Sequence, residues 1–401
     1  MDEAAAKAAT RAQLQNYLAA GWDPSLSRAN INAAAQQAAA NKAAPLAGTT
    51  CPSAPAGTSG TQTPATPADA ATSASPSAPK PAPSPAAPTP SAGSWATRHA
   101  AAVAVLKAHV AVAADVPAPR PAAEIAALKL SKGEPAHVGG MHSKTLHTDP
   151  TGGAWLHKPD KTGGARAHAE SAAATLHNLA GVRTPPVYVR AVGGKPGALQ
   201  PWVAAAEPLP AEPGQWSQAD VDQLVGFHVA AWVCSNHDGN PTNILRTPSG
   251  GLAPIDHGQA FRYFGEDRLS LGYDPNAHYG NPPPAYLAAY KAAKSGGLTD
   301  GVRVRPEAAL GVIKAFERIP DAQYRAALVP VATEGVKADV AWVPRMRKAA
   351  QKRLGKTTVS DAEVAEEFLT RALERKHGLR AAFADFFAGL GLDSKALTKV
   401  A

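Results

Sequence analysis

Cysteine is nearly absent from the chain: only Cys51 and Cys234 occur among 401 residues. Cys51 sits in a Pro/Ser/Ala stretch and Cys234 closes an apolar run. No structural disulfide is expected, and the usage fits a reducing compartment. The opening residues MDEAAAKAAT lack the basic stretch and apolar run of a secretory leader. A bilayer crossing needs roughly 20 apolar residues, and the best run, LVGFHVAAWVC at 224–234, is far shorter. A cytoplasmic protein without a transmembrane segment is therefore expected. Aromatic residues make up only 6% of the chain against 34 Gly and 37 Pro, so part of its length never joins a core. Acidic residues are the minority charge, and the net charge of +8 favours acidic partners without choosing among nucleotide phosphate, acidic lipid, nucleic acid and protein.

The composition divides the chain. Residues 1–45 read as a short helical segment rich in Ala and Gln. Residues 46–94, with TSGTQTPATPADAATSASPSAPKPAPSPAAPTPSAGS, form a disordered linker, because little apolar surface is present to offset the entropy of ordering. Residues 95–137 read as a helical joint: an Ala-rich helix from Trp95, a Pro-rich stretch and a short helix near Ala122. Residues 138–395 form the compact domain. In it SKTLHT and GAWLHKP flank Asp149-Pro-Thr-Gly-Gly153, which is hairpin chemistry. A helix follows, starting at Thr162 or Gly163 and stopping at Gly181. PPVYVR and ALQPWV read as two further strands. Beyond Gln218 the chain is mainly helical, and Ser360-x-x-Glu363 is a capping box. The expected class is α+β: a small strand-rich lobe, a larger helical lobe and a ligand cleft between them.

One stretch concentrates polar chemistry: SNHDGNPTNILRTPSGGLAPIDHGQAF, residues 235–261. Asp238 and Asn243 are five residues apart, and Asp256 follows thirteen residues later. Ile244-Leu-Arg246 reads as a strand, 247–251 as a turn, and 252–255 as the strand returning to Asp256. Carboxylate and amide oxygens suit a hard cation such as Mg²⁺, and a second carboxylate suits orientation of a hydroxyl. Asn243 and Asp256 are assigned to metal and Asp238 to the hydroxyl.

This segment resembles the atypical kinase-like superfamily, on the side of the phosphatidylinositol 3-/4-kinase-like and HipA-like branch. The resemblance rests on Asn236-His-Asp238, Asn243, and Ile255-Asp-His-Gly258 followed by Ala260-Phe261. It implies a two-lobed kinase-like fold, ATP and Mg²⁺ as cofactors, and transfer of the γ-phosphoryl group to a hydroxyl. By the same resemblance Lys158 is the phosphate-contacting lysine and Glu170 its ion-pair partner. Gly139-Gly-Met-His-Ser143-Lys144 stands for the loop covering the phosphates, which makes Ser143 a nucleotide contact. Leu199-Gln-Pro-Trp-Val203, with Gln200, stands behind the adenine. Three departures are visible. Gly239 and Asn240 replace the basic residues that often follow the catalytic Asp, His257 replaces the Phe of D-F-G, and the covering loop is not a full G-x-G-x-x-G.

Plainer readings apply to the remaining motifs. Histidines 142, 147, 157, 168 and 177 read as scattered polar residues and Cys234 as core. The run Arg345-Met-Arg347-Lys348 with Lys352, Arg353 and Lys356 reads as a solvated helix face, without the interleaved aromatics that stack bases. The expectation is a phosphotransferase acting on a protein hydroxyl, with a lipid headgroup or small molecule as other acceptors. AMP transfer on the same fold is one alternative. A non-catalytic structural or interaction protein of a large assembly, such as a phage particle, is the other.

Overall fold

A computed structural model describes residues 115–136, 143–277 and 282–398. The helical segment expected at 1–45, the linker expected at 46–94, most of the helix expected from Trp95 and the Gly139-Gly140 pair lie outside these residues. The first described elements are α1 (Ala122–Ala127) and the strands β1 (Glu134–Pro135), β2 (Thr145–Thr148) and β3 (Ala154–Pro159). The β2–β3 turn forms as its sequence implies. Asp149 accepts hydrogen bonds from Thr151 N and Gly153 N, both at 2.9 Å, and from the Trp155 indole N–H at 2.9 Å.

Helix α2 (Ala165–Leu179) follows, then β4 (Tyr188–Val192) and β5 (Lys195–Pro201). The five strands form one sheet in the order β1-β2-β3-β5-β4 with antiparallel neighbours. β4 begins three residues later than PPVYVR implies, because Pro185 and Pro186 have no N–H to place in a ladder. β5 begins earlier than ALQPWV implies: Gly193 and Gly194, at φ 57° and 77°, close a tight hairpin that carries pairing back to Lys195. Lys158 lies opposite Ala198, so the two share a face of the sheet. Ala198 packs there with Ala167 and Ala174 of α2. The small alanine side chains bring α2 close to the Lys158 face.

The rest is predominantly helical. β6 (Glu207–Pro208), β7 (Ile244–Arg246) and β8 (Leu252–Pro254) form a small second sheet. Helix α3 (Gln218–Val233) starts at a capping box between Ser217 and Asp220 and is buried along nearly its whole length. The apolar run at 224–234 is thus a central core helix, and Cys234 is buried at its end. Around it stand α4 (Ala285–Ser295), α5 (Glu307–Arg318), α6 (Asp321–Lys337), α7 (Val343–Leu354), α8 (Asp361–His377), α9 (Leu379–Gly389) and α10 (Lys395–Thr398). The Ser360–Glu363 capping box opens α8 as expected. The architecture is α+β, strand-rich first and helical after. No helix among the described residues is long and apolar enough to cross a membrane.

The basic run at 345–356 is solvated as expected at Lys348, Lys352, Arg353 and Lys356, which are all exposed, and several of its cations also form cross-links. Arg345 donates to the carbonyls of Phe264 and Arg262, Arg347 pairs with Asp361 at 3.1 Å, Arg353 with Glu367 at 2.5 Å, and Lys356 with Glu363. Spacing shows a basic stripe but not the acids that α8 brings across from it. Of the histidines, His147, His157 and His177 are buried and His168 is half-buried. His147 bonds the Ser131 carbonyl at 3.0 Å, and His177 donates from Nδ1 to the Ala173 carbonyl at 2.7 Å. His142 lies outside the described residues.

Candidate active site

Lys158 projects from the middle of the sheet toward α2 and forms an ion pair with Glu170, one and a half turns into that helix. Both side chains are buried. The Lys158 ammonium also lies 3.3 Å from Asp256 Oδ1, so it bridges a helix of the first lobe and a loop of the second. Burial disfavours its charge, but Asp256 and Glu170 more than offset this and raise its pKa. Asp256 in turn is held well below the usual carboxylate range, first by Lys158, against burial, and then by Lys144.

Lys144 is the residue that sequence reasoning left out of the candidate set. It stood in the quoted loop beside Ser143, yet Lys144 is the one that reaches the site, with Nζ 3.5 Å from Asp256 Oδ2. Ser143 is exposed, and the residues at 137–142 preceding it are not described. Each oxygen of Asp256 thus faces one lysine. A lysine at the end of the suspected phosphate loop, directly before a strand, was the signal available.

The backbone around Asp256 is forced. Asp256 has φ 58° and ψ 56°, a left-handed conformation uncommon outside glycine. It ends β8 abruptly and swings the carboxylate toward the lysines. Ser235 and Phe261 also have positive φ, 46° and 65°, and Phe261 N–H bonds the Cys234 carbonyl at 2.8 Å. Strain of this kind persists where surrounding structure over-determines it, commonly at functional sites.

Asp238 and Asn243 stand on the loop after α3. The Asn243 amide donates to the Asp238 carbonyl oxygen at 2.7 Å, and Ile255 N–H bonds the Asn243 carbonyl at 2.8 Å. Asn243 therefore ties the Asp238 loop to the strand that delivers Asp256. Its Nδ2 is committed to the backbone, so the amide oxygen Oδ1 is the atom that could bind a cation. Burial, and secondarily the charge on Asp256, push the Asp238 pKa up to about 6. The structure brings Lys158, Glu170 and Asp256 together, with Asp238 and Asn243 alongside.

Gln200 lies opposite Leu156 on the same sheet face as Lys158. It is buried, and its Oε1 has no hydrogen-bond partner among the described residues. Trp202, two residues on, is 39% exposed. The absence of a basic residue after Asp238 also has a steric cause. A Cβ on Gly239 would stand 2.8 Å from the Phe227 ring and 3.4 Å from Tyr286, so a side chain here would have to displace the Phe227 ring.

Beneath the loop lies a group that sequence spacing had no means of finding. Asp267 accepts from Arg375 at 2.5 and 2.7 Å and faces His237 Nε2 at 3.3 Å. Asn276 donates to the His237 carbonyl at 3.0 Å. These contacts span 30 to more than 100 residues of chain.

No family model matches the chain, and no curated protein matches it. Among solved structures, the crystal structure of a Helicobacter pylori proinflammatory kinase, CtkA, is similar over 65% of this chain and 96% of that one. The identity is 12% and the TM-score 0.32, a likeness that carries no residue correspondences.

Proposed function

We propose that the chain is a kinase-like phosphotransferase, using ATP and Mg²⁺ to transfer the γ-phosphoryl group to a hydroxyl, with a protein side chain as acceptor. The observation that carries this reading is the position of Lys158, paired with Glu170 and within 3.3 Å of Asp256. An ammonium fixed between two carboxylates from different lobes suits a phosphate that enters between them. Lys144 adds a second cation at the same carboxylate.

The donor set fits Mg²⁺. Asp256 offers a carboxylate that stays ionised, and Asn243 offers a neutral amide oxygen, both hard oxygen donors. Bound there, the ion would neutralise phosphate charge during transfer. Asp238 is suited to accept a hydrogen bond from the incoming hydroxyl, because its carboxyl titrates near neutrality. The unpartnered Gln200 Oε1 on the Lys158 face supplies an acceptor for an exocyclic amino group, such as that of adenine.

Calorimetric titration with ATP, with and without Mg²⁺, tests the reading, followed by intact-mass analysis of the protein and of added protein acceptors. Metal-dependent binding and an added phosphate are expected. An added AMP would move the reaction to nucleotidyl transfer. Absence of nucleotide binding under both conditions would refute the proposal.

A further inference from the structure

Thr184, His257 and Asn236 are all buried, exposing 1%, 0% and 2% of their surfaces. None belongs to the donor set assigned to nucleotide, metal or acceptor. Thr184 Oγ1 lies 2.6 Å from the Pro254 carbonyl oxygen and 3.1 Å from His257 Nε2. A hydroxyl has one proton and a carbonyl only accepts. Thr184 therefore donates to Pro254 and accepts from His257, so Nε2 carries the imidazole proton. The Asp238 N–H needs an acceptor and so fixes Asn236 Oδ1 on its own side, which turns Asn236 Nδ2 toward His257 Nδ1; an amide nitrogen only donates, so Nδ1 is bare. Asn236 Nδ2, 3.1 Å away, donates to that nitrogen. The other end of the same amide, Oδ1, accepts the Asp238 N–H at 3.2 Å.

Every donor in this chain points the same way: Asp238 N–H to Asn236, Asn236 to His257, His257 to Thr184, Thr184 to Pro254. Thr184 is itself held by Asn178 near the end of α2, whose amide bonds the Thr184 carbonyl at 2.9 Å. One end of the chain is thus fixed to the helix carrying Glu170, and the other to the loop carrying Asp238. Packing alone does not explain a histidine here. The His257 ring lies tilted against His177, centroids 4.4 Å apart, and a phenyl ring would fill such a space without burying polar atoms.

We propose that His257 is a positioning residue, which as its Nε2–H tautomer fixes the Asn236 amide and through it the backbone of Asp238, joining the Asp238 loop to helix α2. Its consequence for catalysis rests on the phosphotransferase reading; the relay itself does not.

The test uses the full chain labelled with ¹⁵N in histidine, with the His257 ring signals assigned by their loss in His257→Gln. Long-range ¹⁵N–¹H spectra should find Nε2 protonated and Nδ1 bare in the wild type and in Thr184→Ser, which keeps the hydroxyl. Thr184→Val removes the acceptor. The proton should then move to Nδ1, the Asn236 amide should turn over, and the Asp238 amide should exchange with solvent about tenfold faster or more. Single-turnover transfer at saturating ATP should fall about tenfold with ATP affinity unchanged. Should Thr184→Val not fold, Asn236→Ala removes the donor to Nδ1 and the acceptor of the Asp238 N–H, and the Asp238 amide should then exchange about tenfold faster or more. The proposal is overturned by a wild-type ring protonated on Nδ1, by Thr184→Val matching Thr184→Ser in tautomer and exchange, or by Asn236→Ala matching the wild type in Asp238 amide exchange. A wild-type protein that transfers no phosphate would refute the proposed function, while the spectra would still decide the relay.

Discussion

Arg375 and Asp267 meet through two charge-assisted hydrogen bonds, at 2.5 and 2.7 Å, beneath the loop that carries Asp238. Asp267 has no exposed side-chain surface, and the Arg375 guanidinium also lies 4.4 Å from the centres of the Trp232 and Phe264 rings. Burial works against the Asp267 charge, but bonds from His237 and Arg375 outweigh it and hold the carboxyl below its usual range. The pair anchors the C-terminal end of α8 to the floor of the candidate site.

Arg375→Ala would leave that buried carboxylate with His237 as its remaining partner, a loss of about 3 kcal/mol or more. Urea unfolding should report it directly. Arg375→Met with Asp267→Asn should recover part of the loss, since neither then buries an unpaired charge. Equal stability of the single variant and the wild type would mean that the pair is solvated.

Transfer should depend on the ionisation of Asp238. Its pKa, raised to about 6 by burial and by Asp256, means that the carboxylate form is lost as pH falls through that value. Single-turnover rate should drop about tenfold for each pH unit below it. Mg²⁺ beside Asp256 opposes the repulsion, so the limb should move to lower pH as metal is added. Folding stability carries the opposite slope: a raised folded-state pKa makes the protonated form the stabilising one, and stability falls as pH rises toward 6. A rate flat across this range would remove Asp238 from the mechanism.

Lys158 and Asp238 should differ in kind. Lys158→Met, combined with Glu170→Gln so that no lone carboxylate is buried, should weaken ATP binding by about tenfold or more and slow transfer as well. Asp238→Asn should leave ATP affinity nearly unchanged while transfer falls by about two orders of magnitude or more. Calorimetry beside single-turnover transfer separates the two. The reverse pattern would exchange the assigned roles.

Gly239→Arg would insert a side chain whose Cβ meets the Phe227 ring at 2.8 Å. The expected cost is about 1–3 kcal/mol of stability, read from thermal unfolding, together with slower transfer. A variant as stable as the wild type would show that the loop has room for a basic residue.

Residues 1–94 contribute none of the candidate donors, which begin at Lys144 in the chain. A protein starting at Trp95 should bind ATP with unchanged affinity. Loss of binding on this truncation would place part of the site in the N-terminal segment.

The local features of this protein were determined by sequence alone. Asp149 to Gly153 dictated the hairpin that presents Lys158, Ser360 and Glu363 the start of α8, and 244–256 the strand, turn and strand that deliver Asp256. In each, the deciding interactions lie within a few residues, where propensity and spacing act directly. The tertiary structure decided what the site is made of beyond those motifs. It brought Lys144 to Asp256 beside Lys158, paired Arg347 and Arg353 of α7 with acids that α8 supplies opposite them, and put Arg375 under a loop more than a hundred residues upstream. Buried charges and buried amides take their partners from whichever chain segment packs beside them. Those partners follow from three-dimensional proximity, which no spacing along this sequence encodes.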